Sequence, residues 1–250
     1  MIRRIVSLEP SVTATLVALD VRDRLVAVTR YCHRLTDVGD LPQLETTWSV
    51  RVEDIAALRP DLVIAGTPYR AGRIDELLRA RLNVLCLYPQ TLADVYDHIR
   101  WLGDLCGVPE RADALVAEME AHLESFKART QGKPRQRVYV ETWFDPLMNA
   151  PEWVAEIVEA LGGEFVPQPA GRRIDEAEII AADPEVIVLS WAGMEEIDPA
   201  GVSSRPGWDR IGALREGRVV AVDEITLNAP GPNLKQGVRE VWRALYPDEG

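Results

Sequence analysis

Short apolar runs and helical stripes alternate along the first half of the chain. Ile5 to Leu8 reads as a strand, and Pro10-Ser11 then opens a helix that sets Val12, Leu16 and Leu19 on one stripe. Leu25 to Val28 returns as a second strand, so the chain starts β-α-β. Residues 30–49 are polar and rich in turn formers, which predicts a loop. A short helix leads from there into the strand Leu62 to Ala65; a further helix spans Gly72 to Arg81, and Asn83 to Leu87 is the next strand. Thr91 to Cys106 is helical again, with Gly107 to close it. Helices and strands that alternate in this way favour a largely parallel sheet.

The spacing then lengthens. From Pro109 to Arg129 a single helix places Ala112, Leu115, Val116, Met119, Leu123 and Phe126 on one face. It is roughly 30 Å long, enough to run the length of a small domain. Gln131-Gly132-Lys133-Pro134 ends it, and the strand Arg137 to Glu141 begins a second lobe. Helix Pro151 to Leu161 is stopped by Gly162-Gly163, helix Asp175 to Ala182 follows, and Val186 to Leu189 and Arg218 to Val222 are strands. The last helix, Leu234 to Leu245, starts at the Pro230-Gly231-Pro232 turn and carries Leu234, Val238, Val241, Trp242 and Leu245 as its core stripe.

One stretch occurs twice. Glu53-Asp54-Ile55-Ala56-Ala57-Leu58-Arg59-Pro60-Asp61-Leu62-Val63-Ile64 is echoed by Ala177-Glu178-Ile179-Ile180-Ala181-Ala182-Asp183-Pro184-Glu185-Val186-Ile187-Val188. In both copies a helical turn ends before a proline, which cannot continue a helix, and a β-branched run follows. The acidic residue after the proline recurs as well. Pro60 and Pro184 lie 124 residues apart, about one small domain, so the copies are equivalent elements of two lobes. The expected fold is α/β: two lobes, 1–107 and 131–250, joined by the single long helix of 108–130, with a ligand cleft between them. A continuous helix there would be a rigid connector.

Composition narrows the function. With 250 residues and 47% apolar content the chain can bury one large core or two modest ones. A net charge of -12 without a basic cluster argues against nucleic acid as a partner. No apolar run approaches the roughly 20 residues that span a bilayer, so no membrane insertion is expected. Met1 to Leu8 passes straight into a strand without the features of a signal peptide, which places the protein in the cytoplasm as the sequence stands, and outside it if a leader has been removed. Cys32, Cys86 and Cys106 show no C-x-x-C spacing and leave an odd thiol, so no disulfide framework is expected, and Cys86 reads as a small buried residue of its strand. Phosphate loops, zinc helices and nucleophile elbows are all missing from the sequence, and His33, His98 and His122 are far apart, the last two on helices as surface residues. A monomeric binding protein fits better than an enzyme. The enzyme alternative rests on Cys32-His33 as a reactive thiol or metal-handling pair, against which neighbours on an extended chain point apart.

The loops are rich in aromatic residues. Tyr31, Trp48, Trp143, Phe144, Trp191 and Trp208 fall at or after predicted strand ends or in connecting loops, whereas Trp101, Trp153 and Trp242 sit on helices and are assigned to packing. In open α/β sheets the loops beyond the carboxyl ends of the strands form the ligand crevice. Aromatic faces there suit a broad flat ligand.

Several segments together carry a family resemblance: Ile5-Val6-Ser7-Leu8-Glu9-Pro10-Ser11-Val12-Thr13, Val26-Ala27-Val28-Thr29-Arg30-Tyr31-Cys32, Ala57-Leu58-Arg59-Pro60-Asp61-Leu62-Val63-Ile64, Arg205-Pro206-Gly207-Trp208, Arg218-Val219-Val220-Ala221-Val222-Asp223 and Pro230-Gly231-Pro232. In this order the chain resembles the class III, helical-backbone substrate-binding proteins of ABC transporters, and within them the cobalamin-binding branch. The resemblance implies two Rossmann-like lobes on one long helix, a corrinoid as ligand and a membrane permease as partner. It implies that Tyr31 and Trp48 contact the corrin ring, with Trp143 and Phe144 as the second lobe's aromatics beside Trp191. Gly66 and Gly171 stand where relatives can carry tryptophan, which leaves haem or a ferric siderophore open as ligand. His33 is the candidate axial ligand to a bound cobalt or iron: alternation along an extended segment would bring it to the same side as Tyr31. For permease docking, Glu53 keeps the first lobe's glutamate; in the second the aligned residue is Ala177, flanked by Glu176 and Glu178, and Ala14 replaces another common glutamate.

Overall fold

A computed structural model describes residues 2–46, 49–66, 71–194 and 196–249. It divides into two compact units: Met1–Pro89 with Ala93–Glu118, and Gln90–Leu92 with Met119–Gly250.

The first unit follows the predicted order. β1 (Ile5–Ser7), α1 (Pro10–Ala18) and β2 (Leu25–Thr29) form the β-α-β start; β3 (Gln43–Leu44), α2 (Val52–Ala57), β4 (Leu62–Gly66), α3 (Ala71–Arg79), β5 (Val84–Leu87) and α4 (Leu92–Cys106) follow. The strands form one sheet in the order β3-β2-β1-β4-β5, and every pairing in it is parallel. β1 and the first four residues of β4 are buried at every position, as expected of central parallel strands covered on both faces. The chain order reverses between β1 and β4, so the topological switch point lies at their carboxyl ends. Residues 30–49 are not all loop, because Gln43–Leu44 pairs with Val28 and Thr29. Two residues have no period for a sequence to show.

Helix α1 departs from its expected stripe. Pro10 stands at its first turn, where no N–H is needed, but Ser11 to Leu16 are all buried. The hydroxyls make this tolerable: Thr15 Oγ1 donates to Ser11 O at 2.8 Å and Thr13 Oγ1 to Ser7 Oγ at 2.8 Å. Two further expectations fail at the surface. Cys86 is exposed on the edge strand β5. Trp101 is 54% exposed, because the buried face of α4 runs through Val95, Ile99, Leu102 and Cys106 and leaves it to one side.

Helix α5 (Pro109–Lys127) continues into a 3-10 turn at Ala128–Thr130, and the division between the units falls inside it, after Glu118. The second unit then holds β6 (Gln136–Phe144), β7 (Leu147–Asn149), α6 (Glu152–Ala160), β8 (Gly163–Phe165), α7 (Glu176–Ala182), β9 (Val186–Leu189), α8 (Gly212–Arg215), β10 (Val219–Ala221) and α9 (Leu234–Leu245). Its sheet runs β10-β9-β6, with β8 parallel to the first residues of β6 and β7 antiparallel to the last. The hairpin with β7 prolongs β6 beyond its predicted end, so Trp143 and Phe144 lie in the strand. Trp153 and Trp242 are buried as expected. His98 and His122 are half-buried rather than surface residues: His98 rests on Trp101 at 4.9 Å, and His122 Nε2 meets Lys235 O at 2.9 Å.

The repeated stretch is one joint built twice. The helices α2 and α7 end in residues with left-handed backbone, Arg59 at φ 48° and Asp183 at φ 43°. An arginine at the start of the neighbouring strand then satisfies the carbonyls that the helix end leaves open. Arg4 donates to Leu58 O and Arg59 O at 2.6 and 3.1 Å, and Arg137 to Ala182 O and Asp183 O at 3.2 and 2.9 Å. The acid after the proline accepts from the same strand: Asp61 Oδ2 takes the N–H groups of Arg3 and Arg4, and Glu185 Oε2 that of Arg137 at 2.9 Å. Its recurrence in the sequence therefore has a structural cause.

Candidate functional site

In the first unit the carboxyl ends of the strands bring Ser7, Glu9, Tyr31, Cys32 and Gly66 to one edge of the sheet. Glu9, just past β1, lies across Gly66 at the end of β4: a Cβ on Gly66 would stand 2.8 Å from Glu9 Cγ and 3.3 Å from Leu87 O. The switch point is therefore filled by a carboxyl side chain. Burial pushes the Glu9 carboxyl up to about 8, against the lowering effect of the Gly66 backbone hydrogen bond.

Tyr31 is half-buried beside β2, with the Arg30 guanidinium 5.2 Å from its ring centre. The residues after it do not continue as an extended chain. Cys32–Arg34 form a 3-10 turn, in which successive side chains point about 120° apart. Cys32 goes inward, where its sulfur lies 3.1 Å from Thr13 Oγ1 and 3.3 Å from the Thr29 hydroxyl. Burial raises its thiol above the ordinary range, the opposite of what a nucleophile needs. His33 goes outward, is exposed, and holds the Arg30 carbonyl through Nδ1. The alternation expected for His33 is thus corrected, and Cys32 and His33 do not form a reactive pair. Trp48 lies outside the described residues.

In the second unit three of the expected aromatics come together. Trp143 and Phe144 stack with ring centres 5.0 Å apart, and Phe144 lies 5.0 Å from Trp191. They stand at the carboxyl ends of β6 and just past β9, where this sheet also reverses its order. Phe144 is 41% exposed, and the two tryptophans are half-buried. A register shift in β6 between Glu141 and Trp143 re-aims the end of the strand. Both indole N–H groups are bonded, Trp143 Nε1 to Asp145 O at 2.7 Å and Trp191 Nε1 to Glu141 Oε1 at 2.9 Å. What the cluster offers a ligand is ring surface.

Trp208 does not belong to this cluster. It is fully buried, edge-on to Tyr139 at 6.4 Å and under the Arg205 guanidinium at 4.5 Å. Sequence reasoning also missed Glu9, Glu141 and Arg205. Glu141 carried one signal, an acid closing the apolar run Val138-Tyr139-Val140, and Arg205 another, its place in Arg205-Pro206-Gly207-Trp208.

Of the expected docking residues, Glu53 is exposed in the first turn of α2 and Glu176 half-buried in that of α7. The Glu178 carboxylate is committed: Arg172 Nη2 donates to it at 2.5 Å and the Asp175 N–H at 3.1 Å, which holds it below the usual carboxylate range. Gly171 has φ +70°, a backbone that a tryptophan would strain. Among the described residues there is no cluster of metal-ligating side chains and no helix long and apolar enough to cross a membrane.

Comparison with known proteins agrees with this architecture. An ABC transporter substrate-binding lipoprotein of Bacillus subtilis, YvrC, is 29% identical over 98% of this chain and 81% of its own length. A vitamin B12-binding protein of Vibrio parahaemolyticus is 25% identical over 96% of this chain and 88% of its own. Among solved structures, the periplasmic vitamin B12-binding protein BtuF of Vibrio cholerae superimposes with a TM-score of 0.78 at 20% identity, over 99% of this chain and 98% of that one. A periplasmic heme-binding protein from Pseudomonas aeruginosa gives 0.85 at 24% identity, over 99% and 94%. The sequence pattern of one family spans residues 5–226, through both units and nearly all the elements described above, and by that match this chain belongs to the periplasmic binding protein family.

Proposed function

We propose that the protein captures a cobalamin-like corrinoid and presents it to an ABC-transporter permease. The observation that carries this reading is the cluster of Trp143, Phe144 and Trp191 at the carboxyl ends of β6 and β9. Two rings at the end of β6 and one just past β9, with both indole N–H groups already bonded, bury a broad apolar ligand at little ordering cost. The vitamin B12-binding relatives support a corrinoid as that ligand. In the first unit Tyr31 and Trp48 are the proposed ring contacts, and His33 Nε2 is the proposed axial ligand. Glu53 and Glu176 are the proposed docking carboxylates, since Glu178 is held by Arg172.

A second reading, haem or a ferric siderophore, is favoured by one observation. Neither Gly66 nor Gly171 has room or backbone for the tryptophan that corrin-binding relatives can place there. Both readings describe a carrier and require no chemistry from Cys32, whose thiol is buried.

The test is colour. The purified protein is incubated separately with cyanocobalamin, haemin and a ferric siderophore and desalted, and the visible spectrum is recorded alongside calorimetry. Corrinoid retention with a Kd of about 1 μM or tighter, some 8 kcal/mol, is the expected result. Retention of haemin or the siderophore but not the corrinoid would move the assignment to the second reading, and retention of none would overturn both.

A further inference from the structure

Glu141 is wholly inaccessible to solvent at 0% exposure, in β6 between Leu189 of β9 and Asn149 of β7. An isolated carboxylate there would be expensive, and this one is not isolated. Arg205 grips it with both terminal nitrogens, Nη1 to Oε2 at 2.7 Å and Nη2 to Oε1 at 2.8 Å. The Tyr139 hydroxyl donates to Oε2 at 3.1 Å and the Trp191 indole to Oε1 at 2.9 Å. Each oxygen thus accepts two hydrogen bonds, one from Arg205 and one from an aromatic residue. Arg205 in turn lies over the buried Trp208 ring at 4.5 Å, which leaves its guanidinium little freedom.

Stability alone gives weak grounds for such a group. A buried ion pair is often no better for folding than apolar residues of the same volume. Orientation gives stronger grounds. Trp191 is only half-buried and lies past the end of β9. The backbone on either side of it is tied to β6, Ser190 N–H to Glu141 O at 2.8 Å and Ala192 N–H to Thr142 O at 3.0 Å, which places its Cα and leaves the orientation of the ring to be set by the side chain's own bond. Its bond to Glu141 ties the indole to the core of the unit while its ring centre stands 5.0 Å from Phe144.

We infer that Glu141 is a positioning residue for ligand capture: clamped by Arg205, it holds the Trp191 ring where it completes the aromatic surface. The inference rests on the proposed function, in which that surface receives the ligand. A pre-set ring spares the ligand the cost of ordering it, so losing the clamp weakens binding without removing any group that touches the ligand.

The experiment uses the full chain with whichever of cyanocobalamin or haemin the wild type retains. Glu141→Leu/Arg205→Met replaces the pair with apolar side chains of similar size, and Trp191→Phe keeps a ring while removing the N–H. Near-ultraviolet circular dichroism reads the indole environment, and urea unfolding reads stability. The apolar pair variant is expected to fold, to lose part of the tryptophan dichroism and to bind about tenfold more weakly. Adding Trp191→Phe to it should cost little more than Trp191→Phe alone, because both changes cut the same link. Unchanged affinity in the apolar pair variant, or losses that simply add, would overturn the inference. Should the pair variant fail to fold, Glu141→Gln decides, since it keeps the shape and touches no ligand group: wild-type affinity or unchanged tryptophan dichroism in that variant overturns the inference, and weaker binding with reduced dichroism supports it. A wild type that retains no ligand overturns the functional reading instead, and is recognised before any variant is made.

Discussion

At Gly66 a single missing side chain decides what the first unit presents at its switch point. Glu9 occupies the space a residue there would need, with its Cγ 2.8 Å from the position of a Cβ. Gly66→Ala is therefore expected to destabilise the protein by about 1–2 kcal/mol, as overpacking does. Most of that should be recovered in Glu9→Ala/Gly66→Ala, because the obstructing side chain is gone. Urea midpoints of the two single variants and the double variant check this, and additive losses would show that Leu87 O, not Glu9, is the obstacle. Nothing local in the sequence announces the contact: Glu9 and Gly66 meet only because β1 and β4 are paired.

The helix-proline-strand joint is an element that the sequence displays twice and the structure uses twice. Both copies leave the helix through a left-handed residue, a conformation that costs a non-glycine residue about 1 kcal/mol. The copies differ in what that residue does. The Asp183 side chain accepts the Gly212 N–H at 2.8 Å, whereas Arg59 is exposed and its bonds to Arg4 are made by backbone carbonyl. Arg59→Gly should then raise the unfolding midpoint by an amount equivalent to a few tenths to about 1 kcal/mol. Asp183→Gly should give no gain, since it relieves the backbone and loses the Gly212 bond together. Equal gains at both positions would mean that the aspartate bond contributes nothing.

For the whole molecule, opposed carboxyl groups set the dependence of stability on pH. Asp61 is held low by backbone N–H groups of Arg3 and Arg4, Asp54 by its hydrogen bond from Arg51, and Glu178 by that from Arg172. Their contribution is present above the unfolded values near 4 and is lost as pH falls through the lower folded values. Glu9 acts in the other direction. Its carboxyl is raised by burial to about 8, so the folded state binds a proton that the unfolded state has released. Stability from Glu9 is complete below about 4.3 and drains away as pH rises to about 8. Glu9→Gln should flatten that decline, leaving the variant more stable than wild type by on the order of 1–3 kcal/mol at pH 9. Parallel wild-type and Glu9→Gln profiles between pH 5 and 9 would show that Glu9 ionises at its ordinary value.

The sequence by itself determined the elements and their order, because helices and strands longer than about four residues declare their period locally. α9 begins and ends where its stripe does, and the repeat located both strands that flank the switch points. It also placed Trp143, Phe144 and Trp191 at strand ends, a matter of position along the chain. Only the tertiary structure decided what those positions face. It put Trp208 inside and Trp101 outside, turned His33 away from Cys32, and added β3, β7, β8 and α8, each too short for periodicity. It joined Glu141 to Arg205 across 64 residues. An acid and a base so far apart leave no local trace of each other, since the bond between them depends on two segments brought together by the burial of everything around them.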